Sequence, residues 1–129
     1  MTQIKTKFFH FRQNNSGGSF IINDEVDVLV VIEAVDYLHA NGIAQIKGIY
    51  FHGVGSGRDC SCCGSRWYEQ YDDSDGYEKE FGDQNLKQKE KAIKNGTDEY
   101  AHHFVLYYLN DKVVRSRGRI INKNADSWR

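Results

Sequence analysis

Residues 26–34 read VDVLVVIEA, and residues 36–47, just beyond, read DYLHANGIAQIK. The first stretch is an almost unbroken run of β-branched and aliphatic side chains, as a central strand needs when both of its faces are covered. In the second the period changes. Leu38, Ile43 and Ile46, with Ala40 and Ala44, fall on one face of a short helix from about Asp36 to Lys47. Gly48 stands where the chain can reverse into the left-handed region and end it. Gly42 inside the helix costs about 1 kcal/mol relative to alanine, a penalty that packing must offset. A doubly covered strand followed by one covering helix predicts an α+β fold.

Working outward, residues 4–13 are aromatic or β-branched in character and run into NNSGG at 14–18, a segment able to make a tight reversal. Residues 19–22 then read as the returning strand of an N-terminal hairpin. Downstream, Ile49, Tyr50 and Phe51 resume extended structure, 53–64 is a loop rich in glycine and cysteine, and 66–71 reads as a short strand. Residues 100–109 and 112–121 are strand candidates joined by Asn110 and Asp111, a C-terminal hairpin. Residues 72–96 are charged and poor in aliphatics and read as a polar insertion, and 122–129 as a loose tail. The whole predicts one domain over 1–129: a small antiparallel sheet with one main helix packed on it and a hairpin at each end.

Seventeen basic against eighteen acidic side chains give a formal net charge of −1, which argues against a protein that lives on counterion release from long nucleic acid. No apolar run reaches the roughly 20 residues that cross a bilayer, and residues 1–5 lack the apolar core of a signal peptide. Cys60, Cys62 and Cys63 are an odd, crowded set and a poor disulfide framework. Together these predict a soluble protein of a reducing cytoplasm that uses no membrane.

Two segments carry residues suited to chemistry. In FFHFRQNNSGGS, residues 8–19, alternation sends Phe9 and Phe11 to one face and Phe8, His10 and Arg12 to the other. A ring, an imidazole and a guanidinium side by side, followed by Gln13, Asn14, Asn15 and Ser16, suit a nucleotide: the base stacks, and arginine and amides take the phosphates. The competing reading is an ordinary hairpin with a wet polar face. The second segment, GRDCSCCGSRWY at 57–68, places Cys60 and Cys63 at the C-x-x-C spacing of a zinc knuckle. Cys62, or a histidine such as His52, His102 or His103, would have to complete four ligands. The alternatives are three reduced thiols in a tight loop or, with less support, a thioredoxin-like redox pair. Arg58, Arg66 and Trp67 offer a second wall for stacking and charge pairing, or else Arg66 pairs with Asp59 to staple the loop while Trp67 enters the core.

Other patterns lead nowhere or nowhere specific. Arg115, Arg117 and Arg119 form a basic stripe, for phosphate contact or as a solvated edge strand. The Asp73-Ser74-Asp75-Gly76 run resembles a calcium loop, but Tyr71 and Gly82 occupy its first and last ligand positions. The chain has no P-loop, no G-x-G-x-x-G and no G-x-S-x-G. No nucleophile, base and orienting group can be named together, so catalysis has little support.

The RQNNSGGSF segment at 12–20 and the DCSCCGSRW segment at 59–67 resemble motifs of a family of small bacteriophage proteins of unknown or recently proposed function. The likeness covers roughly residues 7–68. Ser65 departs from it, standing where an acidic residue is expected. The resemblance implies a phage accessory role in the cytoplasm of an infected bacterium, where small phage proteins often act as counter-defence factors. With the residues above, it leads to an expected function: sequestering a nucleotide-derived immune signal, of the cyclic ADP-ribose or cyclic oligonucleotide type, without cleaving it. Phe8, His10, Arg12, Gln13, Asn14, Asn15 and Ser16 would face Arg58, Arg66 and Trp67 near the subunit boundaries of a homo-oligomer. No cofactor is required; structural zinc at Cys60, Cys62 and Cys63 is the one candidate. The alternatives are a zinc-stabilised module that blocks a host protein, and a phosphodiesterase with His10 or His102 as acid/base.

Overall fold

The computed structural model describes residues 5–15, 18–95 and 103–116. Six elements follow in order: β1 (Lys7–Arg12), β2 (Leu29–Ala34), α1 (Tyr37–Ile46), α2 (Leu86–Asn95), β3 (Phe104–Tyr107) and β4 (Val113–Arg115). The fold is α+β, as expected. The four strands lie in the order β1-β2-β3-β4, but the sheet is mixed and not antiparallel throughout. The central pair, β2 and β3, runs parallel. A parallel pair needs a long crossover, and everything from α1 to α2 serves as that connection.

Segment 26–34 does what its composition demands. Val30, Val31, Ile32 and Ala34 are wholly buried, and β2 sits between β1 and β3. The partner of β1 is β2, in the register Phe9↔Ile32 and Phe11↔Val30. The expected N-terminal hairpin is therefore replaced by a wider connection, and 19–22 is not a strand. The C-terminal hairpin is present, with β3 and β4 joined through residues 108–112.

The helix α1 starts on Asp36, whose carboxylate accepts from the His39 amide at 2.9 Å, and ends before Gly48 at φ 99°. Its buried face is narrower than expected: Ala40, Asn41 and Ala44 turn inward, while Leu38 and Ile46 are exposed. The small alanines let the helix lie close to the sheet, so the larger side chains at its margins are pushed out to water.

Residues 66–71 form no strand. They are held instead by side chains. Asn41 of α1 donates to the Gln70 carbonyl at 2.9 Å and accepts from its amide at 2.8 Å, as a neighbouring strand would. The Gln70 side chain donates to the His10 carbonyl at 2.6 Å, on the free edge of β1. Tyr77 then pairs with Phe8 through two backbone bonds of 2.8 Å. At that edge the chain passes from one face of the sheet to the other.

The segment expected as a polar insertion thus becomes a second covering layer, and the described residues hold two helices where one main helix was expected. Phe81, Leu86 and Ile93 pack over Leu29, Val31, Phe104 and Leu106 on the face opposite α1. The aliphatics are few, but at helical spacing they suffice to cover a narrow sheet. Among the described residues no helix is long and apolar enough to cross a membrane. Arg117, Arg119, His102 and the tail at 122–129 lie outside the described residues, as does Ser16.

Candidate functional site

Strand alternation in β1 holds: Phe9 and Phe11 enter the core beneath α1, and Phe8, His10 and Arg12 face the opposite layer. That layer does not lie flat on them. His10 and Arg12, with Leu29, Tyr77, Phe81, Gly82, Asp83 and Lys89, line a cleft of about 500 Å³, within the size range of ligand sites. The His10 and Tyr77 rings lie 4.6 Å apart, tilted by 45°. The His10 Nε2–H donates to the Glu80 carbonyl at 2.9 Å. Burial, together with the nearby Arg12 and Lys89 charges, holds the imidazole below its ordinary range, so the ring is neutral at pH 7. Lys89 comes from α2, with its ammonium 5.2 Å from the Phe81 ring centre. Arg12 is exposed, and among the described residues no carboxylate pairs with it. Two cations, the exposed Arg12 and the buried Lys89, and one carboxylate, Asp83, line the cleft.

The sequence-predicted facing wall lies elsewhere. Trp67 is 1 % exposed in the core under α1, on the other face of the sheet, so its ring is closed to ligands. Arg66 is buried as well, and its guanidinium is the hub of a network. It donates to the Gln13 side-chain carbonyl at 2.9 Å, the Ser19 carbonyl at 2.7 Å and the Tyr50 hydroxyl at 3.2 Å. Asp59, its charge partner at 3.8 Å, has a fully buried side chain. That carboxylate accepts from the Tyr50 hydroxyl at 2.6 Å and the Arg66 amide at 2.7 Å. The stapled-loop alternative describes this arrangement. Arg58 stacks on the outside, 3.7 Å over the Tyr50 ring.

Gln13 and Asn14 belong to this network and not to the cleft. Gln13 is buried, donates to the Ile21 and Asp27 carbonyls at 3.0 and 3.1 Å, and accepts from the Ile21 amide at 2.6 Å. Asn14 donates to the carbonyls of Cys63 at 2.8 Å and Ser65 at 3.2 Å. The opening strand and the thiol loop therefore do meet, but through the end of β1. Of the residues expected to bind ligand, the structure brings His10 and Arg12 together. Phe8 packs edge-on against Tyr108, and Asn15 is exposed just beyond Asn14. Tyr77, Phe81 and Lys89 were not legible as site residues, because nothing local in a polar segment says which sheet face it will cross.

The Cys60, Cys62 and Cys63 sulfurs all lie within 4.8 Å of one another and could bind a metal. Cys60 and Cys62 sit at disulfide distance, while Cys63 is a free, exposed thiol with its sulfur 3.6 Å from that of Cys62. The three cysteines cluster as the zinc candidate requires, but the Cys60–Cys62 pair departs from the alternative of three reduced thiols. Spacing spoke against a disulfide framework for the fold, and the observed pair closes only a local turn. His52 turns away to Glu69, at 2.8 Å, and His103 is buried near Asp27.

No curated protein and no solved structure matches the chain. Residues 6–120, which span β1 to β4 and both features above, match the model of the family described as a domain of unknown function, DUF7296, and the chain belongs to that family.

Proposed function

We propose that the protein is a binding protein that sequesters a nucleotide-type ligand in the cleft between β1 and the 77–89 segment. The observation that carries this reading is the joint presence of an exposed Arg12 and the paired His10 and Tyr77 rings in one cleft, with Lys89 in its lining. A planar base can stack against the rings, at about 1–3 kcal/mol per base. A phosphate can take charge-assisted hydrogen bonds from Arg12. His10 is neutral and spends Nε2–H on a backbone carbonyl, a ring held in place and not a poised acid, which favours binding over hydrolysis. The phage-protein resemblance supports an immune signal as the ligand and the infected host cytoplasm as the setting.

Calorimetric titration against cyclic dinucleotides and cyclic ADP-ribose isomers tests this. Binding by the natural protein, weakened by Arg12→Ala and Tyr77→Ala, is the expected result, with intact ligand recovered after heating. Silent titrations across the panel overturn the reading, and turnover replaces it with a hydrolase. The zinc-stabilised interaction module has the sulfur cluster in its support, but three exposed ligands fall short of the four that close a structural zinc site.

A further inference from the structure

We propose that the reduced thiol loop is a three-thiolate site for one thiophilic metal ion, with a coordination position open to solvent, and that the Cys60–Cys62 bond is the state that competes with it. The inference is independent of the cleft on the other face of the sheet.

Three observations converge on this. One sulfur pair already has the spacing a metal requires, and the third sulfur is close by. Tetrahedral thiolate ligands about 2.3 Å from zinc lie roughly 3.8 Å apart. The Cys62 and Cys63 sulfurs stand 3.6 Å apart, and Cys60 lies inside the same 4.8 Å span, its bond to Cys62 having to open before that pair can take the same spacing. Next, the ligand set stops at three. Among the described residues no histidine or carboxylate joins the cluster, and all three cysteines are exposed. Three protein ligands and an open position characterise a metal that meets an outside ligand, whereas scaffold zinc is enclosed by four.

The third observation concerns what holds the loop. Its turn is closed by the Cys63 and Gly64 amides on the Cys60 carbonyl, at 3.2 and 3.1 Å. Its flanks are pinned by Asp59 on the Arg66 amide and by the Asn14 amide group on the Cys63 and Ser65 carbonyls. None of these hydrogen bonds involves a sulfur, and the Cys60–Cys62 bond adds only the closure of a three-residue turn. The scaffold that presents the thiols is thus built without metal, and binding need not supply folding energy, unlike in zinc fingers. Asn14 is a positioning residue, orienting Cys63 through its carbonyl.

Oxidation and coordination exclude each other because they use the same sulfurs. A low-molecular-weight disulfide takes two electrons from the Cys60 and Cys62 thiols, forming their bond and leaving as two thiols. A dithiol reverses the step and is itself closed to a cyclic disulfide. Only the reduced loop offers three thiolates, and metal binding displaces their protons.

The test uses the full chain, reduced and then freed of reductant under inert gas, titrated with Cd²⁺ as a probe of thiolate coordination. The expected result is an ultraviolet sulfur-to-cadmium charge-transfer band that saturates at one ion per chain, on a protein whose circular dichroism is unchanged by the metal. The band disappears in protein oxidised with glutathione disulfide and in the triple Cys60→Ser, Cys62→Ser, Cys63→Ser variant. Asn14→Ala keeps the band but weakens binding by about 10–100-fold. Reduced protein capped with iodoacetamide is the second control, should the triple variant not fold. Absence of the band, saturation at one ion per two chains, equal binding by the oxidised form, or a metal-free reduced chain that is unfolded would each overturn the proposal.

Discussion

The two faces of the sheet are closed by different means. Under α1 the seal is complete: Phe9, Phe11, Ile32 and Trp67 are buried against alanines of the helix. The polar residues at that margin, Gln13, Asp59 and Arg66, are saturated by one another. On the opposite face, a segment with few aliphatics crosses the strands and packs where Phe81, Leu86 and Ile93 fall. Beside Arg12 and Lys89 it leaves a cleft. A face whose polar groups spend their hydrogen bonds inward supports the fold. A face that keeps a charged group such as Arg12 exposed beside a cleft can bind something. Ligand residues are found by asking which polar side chains the fold has not already used.

The largest expected effect falls on the closed face. Replacing Arg66 by Met leaves the buried Asp59 carboxylate without its cation, and loss of one partner of a buried pair costs about 3–5 kcal/mol. Urea denaturation measures this. A loss below about 1 kcal/mol would break the contrast. Gly53→Ala comes next. A Cβ there would lie 1.9 Å from an Asp59 carboxylate oxygen and 2.8 Å from the Tyr50 ring. Overpacking of this kind costs about 1–3 kcal/mol, visible as a lower Tm.

A third test has the opposite sign. Burial pushes the Asp27 carboxyl, where β2 begins, up to about 6 from its ordinary 3.8, against the pull of the Val28 amide and Arg115. The folded state therefore holds this proton more tightly than the unfolded chain. Stability contributed by the neutral acid is lost as pH rises from about 4 through about 6. Asp27→Asn should be more stable than the natural protein above pH 7, on the order of 2–3 kcal/mol, and level with it below about pH 4. Denaturation curves across pH 3–8 report this, and a constant difference would refute it.

Two smaller effects complete the contrast. Cys60→Ser removes a bond that closes a very short loop, worth under about 2 kcal/mol of chain entropy, and should leave the far-ultraviolet circular dichroism unchanged. Arg12→Ala, on the open face, should change stability by under about 0.5 kcal/mol. Its signature is weaker ligand binding, by about 10–100-fold for a lost charge-assisted hydrogen bond, read by calorimetry. A variant at Arg12 that unfolded the protein would show that the open face is structural too.

What the chain determined by itself was local: the buried strand at 26–34, the capped helix beside it, the alternation of Phe8 to Arg12, the closing hairpin and the thiol cluster. Each depends on side-chain period, a cap or a turn, all of which act over a few residues. Which strand pairs with β1, that β2 and β3 run parallel, and that 72–95 crosses to the far face were decided by tertiary structure, because they depend on contacts between residues tens of positions apart. The same holds for the site. Arginine was legible at 12 and at 66, but only the assembled fold shows that Arg66 is consumed by Gln13, Tyr50 and Asp59, while Arg12 keeps its charge at the surface beside Lys89.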